Sequence, residues 1–110
     1  MRLRLLLVAL LATGCPTLHR TDEVDVAQIP PEVREDYSIF AQRCSKCHSL
    51  ARPLGSGIDD DEYWRRYVAR MRAQPASGIS EDDVEPILRF LHYFSEREKE
   101  RKSHPEAGAL

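Results

Sequence analysis

The sequence predicts an all-α domain of three main helices, preceded by an export segment and a tether. Three observations carry this. Apolar residues recur at i, i+3, i+4 and i+7 spacing in three separate stretches. Residues that start or stop helices punctuate them: Pro31, Asp59-Asp60 and Ser80 at the starts, Pro75 and Gly78 in between. No stretch alternates apolar and polar residues for long enough to make a strand.

The chain has 110 residues and a formal net charge of −2. That is enough for one small domain, with a core thin enough to want a disulfide, metal or cofactor as a staple. Acidic and basic residues are interspersed, so the basic stripe of a nucleic-acid binder is missing and no nucleic-acid partner is expected. No internal repeat is present.

Residues 1–14 read as an address. Arg2 and Arg4 form a positive n-region, and Leu5 to Ala12 is an unbroken apolar run. The run is too short for a membrane-spanning helix, which needs roughly 20 residues, and fits a secretory signal. Ala12, Thr13 and Gly14 lead directly into Cys15. This resembles the lipobox of bacterial lipoproteins, with Ala12 where Leu is usual and Leu11 one position earlier. The resemblance implies cleavage before Cys15, its acylation and anchorage in a membrane. Pro16 rather than Asp after the cysteine points to the outer membrane. Residues 15–31 are polar, acidic and broken by Pro30-Pro31, and read as a flexible tether. His19 within it is solvated.

The first helix is expected from Pro31 or Glu32. Val33, Tyr37, Phe40, Ala41 and Cys44 share one face, with Glu32, Glu35 and Asp36 acidic towards its start. Ser49 to Ile58, interrupted by Pro53, Gly55 and Gly57, reads as a loop. Asp59 or Asp60 then caps a second helix whose stripe is Trp64, Tyr67, Val68 and Met71. Arg65, Arg66, Arg70 and Arg72 fill its other side as a basic face balanced by Asp59 to Glu62. Ala76-Ser77-Gly78 forms a turn. Ser80, with Asp83 three residues on, starts the third helix in capping-box style. Val84, Ile87, Leu88 and Leu91 make its stripe, widened by Phe90 and Phe94. Pro86 costs one backbone bond if Ser80 is the cap, and little if Asp82 or Asp83 is. The domain is expected over 32–96. Residues 97–110 form a charged tail, helical to about Lys102 and frayed from Ser103.

The chemistry-bearing motif is Cys44-Ser45-Lys46-Cys47-His48. Two thiols three residues apart, followed at once by an imidazole, suit covalent attachment of haem with the histidine on the iron. Three other readings share these residues. A zinc site needs about four ligands, and no second cysteine pair exists. A redox dithiol of the thioredoxin kind needs a βαβ setting. A plain disulfide suits any exported protein.

From Val33 to Phe94 the chain resembles the small single-haem class I c-type cytochromes. Phe40 occupies the aromatic position one turn before the first attachment cysteine. Ile87, Phe90 and Leu91 are similar to the aromatic-Leu pattern of the family's last helix, which crosses the first. Asp36 stands where the family usually has Gly. The resemblance implies a cytochrome c-like fold around one haem c, with thioethers from Cys44 and Cys47. His48 would be the proximal ligand, its other nitrogen donating to a backbone carbonyl near Pro53. Met71, on a helix led by Trp64 and ending in Arg70-Met71, is the distal candidate. His92, at the border of the last helix's stripe, is the rival, and His104 lies in the tail. Arg52 is the candidate propionate contact. The implied function is one-electron transfer between redox partner proteins at the periplasmic face of a membrane, with no enzymatic constellation. The alternatives are a haem-based sensor of small ligands with an open distal site, and a structural lipoprotein with a Cys44–Cys47 disulfide.

Overall fold

The computed structural model describes residues 24–108, so the signal segment 1–14, Cys15 and His19 lie outside it. The described residues are helical, without strands, as the periodicity predicts. The helices are α1 (Pro31–Cys44), α2 (Ala51–Leu54), α3 (Asp61–Arg72) and α4 (Glu81–Ser103), flanked by 3-10 turns at Val26–Gln28 and Pro105–Gly108. No helix among the described residues is long and apolar enough to cross a membrane.

The expected starts are found. Pro31 is the first residue of α1, where its missing N–H has no intrahelical partner to lose. Asp60 caps α3, its Oδ1 accepting from the Tyr63 N–H at 2.9 Å. Ser80 caps α4 through a complete capping box. Its Oγ accepts from the Asp83 N–H at 3.3 Å, and Asp83 Oδ2 accepts from the Ser80 N–H at 2.7 Å. Pro86 therefore lies inside α4, past the first turn, and one backbone hydrogen bond is missing there.

Helix α4 is the hub, and α1 and α3 both pack on it. Phe40 and Phe90 have no exposed surface, and their rings lie 4.7 Å apart across the α1–α4 contact. Tyr37 meets Phe90 edge-on at 5.2 Å. Asp36 is buried at the same contact, and its carboxylate accepts from Arg89 Nε at 2.9 Å and Nη2 at 2.7 Å. A buried carboxylate is tolerated only when paired, and the two-pronged guanidinium of α4 supplies that pairing. On the other side of α4, the Trp64 indole N–H donates to Ser95 Oγ at 2.8 Å, and both residues are buried.

Three boundaries differ from the expectation. The stretch Ser49 to Ile58 contains the single turn α2, not loop throughout. Ser49 Oγ accepts from the Ala51 N–H at 3.1 Å and starts the turn, and Pro53 falls where its missing N–H costs nothing. Leu50 and Pro53 are buried, which holds the turn in place. The C-terminal part of the expected tether is ordered: Asp25 caps the first 3-10 turn, and Ile29 is 1% exposed. No regular period marks Ile29 out from Val24, Val26 and Ala27, so its burial, with its carbonyl accepting from Arg34 Nε at 2.9 Å, is a tertiary event. At the other end α4 reaches Ser103, supported by Glu96–Lys99 and Glu98–Arg101 pairs at 2.8 Å each. A 3-10 turn stands at Pro105–Gly108, where fraying was expected.

Candidate cofactor cavity

The C-terminal end of α1 carries Cys44 inward, because Cys44 lies on the face that buries Tyr37 and Phe40. The chain then turns, leaving Cys47 exposed and His48 half-buried. Helix α2 brings Arg52 and Pro53 back beside them, and α3 presents Tyr67 and Met71 from its partly buried face. These residues, with the turn from Gln74 to Ile79, surround one cavity of about 650 Å³. Pockets for drug-sized molecules and cofactors run about 300–1,000 Å³. Cys44, Cys47, His48, Arg52 and Met71, all singled out from the sequence, line this cavity together.

His92 does not join them. It lies in a separate groove with Asp61, whose Oδ1 is 2.9 Å from its Nδ1. It is exposed on α4 and is not among the residues that line the cavity with Met71.

His48 Nδ1 sits 3.1 Å from the Ser49 carbonyl oxygen. With the proton on Nδ1, Nε2 keeps its lone pair for a ligand. The acceptor is thus Ser49 rather than a carbonyl near Pro53, whose oxygen accepts from the Ser56 N–H at 3.2 Å. Burial pushes the Cys44 thiol up to about 11, so it stays protonated at neutral pH. Burial also raises the Tyr67 phenol, with Cys44 adding to the rise and Arg52 and Arg70 opposing it.

Arg43 and Arg52 are the charged side chains lining the cavity, and no carboxylate does so among the described residues. Arg43 Nε lies 2.9 Å from Asp83 Oδ2, without an N–H aligned on it, so the pair is ionic rather than a good hydrogen bond. Through it the cavity wall is tied to the capping box of α4. Nearby, Lys46 crosses from the motif to the turn before α4. Its Nζ fills the space a Cβ would take at Gly78, which has φ 68°. The positive φ is what calls for glycine at position 78, since the lysine end could swing away from a Cβ.

The sequence did not single out Arg43 or the turn from Gln74 to Ile79 as cavity wall. Arg43 neighbours Cys44, which is the signal that points to it. The turn has no periodic signature, and its role comes from where α3 and α4 place it. Among the described residues, no three His, Cys, Asp or Glu side chains converge as a metal-binding group. No protein-family model, curated protein or solved structure matches this chain.

Proposed function

We propose that this chain is an exported, lipid-anchored electron carrier, a small cytochrome c-like domain with a single covalently attached haem. One observation carries the reading: Cys44, Cys47, His48 and Met71 line the same cavity. The attachment motif is local and would bring its three residues together in any fold. Met71 comes from another helix, and nothing in the motif requires it to be there.

The lining fits the group. The volume lies in the cofactor range, and two arginines without a carboxylate suit an apolar plate that carries acid groups. When bound, haem supplies a reversible one-electron couple. The chain does the rest. Cys44 and Cys47 would hold the plate through two thioether bonds. His48 would offer Nε2 to the iron while Ser49 holds its ring, and Met71 would offer its thioether sulfur as a further donor. A thioether in that place raises the potential relative to a second imidazole. Arg52 offers its charge to a propionate, and Pro53 and Ile79 help exclude water. Cys15 anchors the domain through the tether, which brings it to redox partners at the membrane.

The competing uses of the thiols find less support. A redox dithiol of the thioredoxin kind belongs in a βαβ setting, and the described residues form helices without strands. Two thiols and one imidazole also fall short of a structural zinc set.

Co-expression with a cytochrome maturation system is expected to raise the intact mass by one haem per chain. The double change Cys44→Ala, Cys47→Ala is expected to abolish that gain. The Met71→Ala variant is expected to lose the Met–iron absorption band and to bind CO rapidly when reduced. A wild-type chain that never gains the haem mass sinks the proposal. Fast CO binding by the unmodified reduced protein would move it to the sensor reading.

A further inference from the structure

Helices α1 and α3 both pack on α4 and not appreciably on one another. A slot of about 470 Å³ is left between them, lined by one stripe of α4. Glu85, Leu88, Arg89 and His92 stand at i, i+3, i+4 and i+7, so they share a helix face. Val33 of α1 and Trp64 of α3 join Leu88 as its apolar lining. The slot shares no residue with the cavity of Cys44, His48 and Met71.

The polar lining carries an excess of acid. Four carboxylates, from Glu32, Asp36, Asp61 and Glu85, face the two guanidiniums of Arg65 and Arg89 and the imidazole of His92. Asp36 takes both prongs of Arg89. His92 Nδ1 is 2.9 Å from Asp61 Oδ1, and Arg65 pairs outside the slot with Glu62 at 3.4 Å. Glu32 and Glu85 enter no ion pair among the described residues. Glu85 and Glu35 also act electrostatically on Arg89, so that cation is outnumbered before Glu32 is counted.

We propose that this slot is a docking site for a basic amphipathic segment of a partner protein. Charge complementarity carries the assignment. The two unpaired carboxylates border the slot from α1 and from α4, and a lysine or arginine of the partner supplies the charge they lack. Such a side chain also suits the apolar lining, because its stem packs on carbon while its head stays at the rim. An apolar residue of the same segment covers Val33 and Leu88. A helix that presents apolar and basic residues at i, i+3 and i+4 does both at once. A small polycation would use the carboxylates and leave the apolar lining bare. The formal net charge of −2 draws a basic partner and works against an acidic one. Docking here leaves the cavity uncovered, since the two have no lining residue in common. The site would hold a partner to the domain, and it does not rest on the electron-carrier reading.

The test uses the full purified chain, with its intact mass recorded so that haem content is known independently. The probe is a fluorescent synthetic amphipathic helix of leucine and lysine. An all-lysine peptide of the same length and a leucine–glutamate peptide are the comparisons. The wild type is expected to bind the leucine–lysine peptide about tenfold more tightly than either comparison, with an affinity that falls as salt rises. Glu32→Lys, Glu85→Lys is expected to weaken binding by about tenfold or more, as reversal of interface charges does. The neutral pair Glu32→Gln, Glu85→Gln is expected to lose an intermediate amount, and guards against a folding defect in the reversed pair. Glu100→Lys, Glu106→Lys changes the net charge equally near the C-terminus and is expected to shift affinity by less than about twofold. Zero-length carbodiimide cross-linking is expected to join lysines of the peptide to Glu32 or Glu85. Equal losses from the two reversed pairs would reduce the effect to net charge and overturn the proposal. So would equal binding of the all-lysine peptide, or cross-links confined to acids outside the slot. A chain that passes this test but lacks haem mass keeps the docking site and loses the electron-carrier reading, whereas a haem-loaded chain that fails it loses the docking site alone.

Discussion

Replacing Ser95 with Ala tests what holds α3, the helix that bears Tyr67 and Met71, against α4. Ser95 is 2% exposed and Trp64 is 1% exposed, so water cannot substitute for a lost partner. The hydroxyl accepts the Trp64 indole N–H at 2.8 Å and is 3.4 Å from the Ile58 carbonyl oxygen. Ser95→Ala leaves the indole N–H buried and unpaired, at a cost of about 1–3 kcal/mol. The better helix propensity of Ala returns up to about 0.5 kcal/mol. The net loss is therefore roughly 0.5–3 kcal/mol, and at ~4–8 °C per kcal/mol for a domain of this size Tm falls by roughly 2–24 °C. Thermal and urea unfolding of the same preparation, with haem content matched, would measure it. In a Trp64→Phe background the donor is gone, and Ser95→Ala is expected to cost much less. An unchanged or raised Tm in the single variant would refute the argument. Equal costs in the two backgrounds would do so as well, because the hydrogen bond would then carry no coupling.

Two further outcomes follow from the same geometry. The Ser80 N–H and hydroxyl, and then Arg43, hold the Asp83 carboxyl below the usual carboxylate range. Its stabilising contribution is therefore present above the unfolded pKa, about 4, and lost as pH falls through the lower folded value. The stability gap between wild type and Asp83→Asn is expected to be constant from about pH 7 to pH 5 and to close in acid. A gap undiminished at about pH 2 would contradict the assignment. In the haem-free chain, iodoacetamide at mildly alkaline pH is expected to alkylate exposed Cys47 at least about tenfold faster than Cys44, whose thiol is raised to about 11. Peptide mass mapping would show it, and equal rates would mean that Cys44 is not buried in solution.

Much of the helical framework was legible because its signals are local. The stripe Trp64, Val68 and Met71 repeats within one helix, and the Ser80–Asp83 capping box lies within one turn. The position of Pro86 was not decided by such signals, since Ser80, Asp82 and Asp83 all make acceptable caps. The burial of Ile29 was invisible for a different reason. The short apolar run Val24, Val26, Ala27 and Ile29 is broken by Asp25, Gln28 and Pro30 and fits no helical or strand period, so only the folded core shows that Ile29 is buried. The single turn α2 was hidden by Pro53 and Gly55, which read as helix breakers although Pro is harmless in a first turn.

The chemistry divides in the same way. By itself the sequence determined the all-α class, the helix starts and the identity of Cys44, Cys47 and His48 as a unit, because spacing and capping act over a few residues. Only the tertiary structure decided that Met71 lines their cavity while His92 does not, and that Asp36 at the helix contact is matched by Arg89. It also decided which arginines of α3 are neutralised and which are left to face outward. Those outcomes depend on how α1 and α3 sit on α4. That placement is set by the buried Phe40, Phe90 and Trp64 contacts between residues far apart in the chain, which no local pattern records.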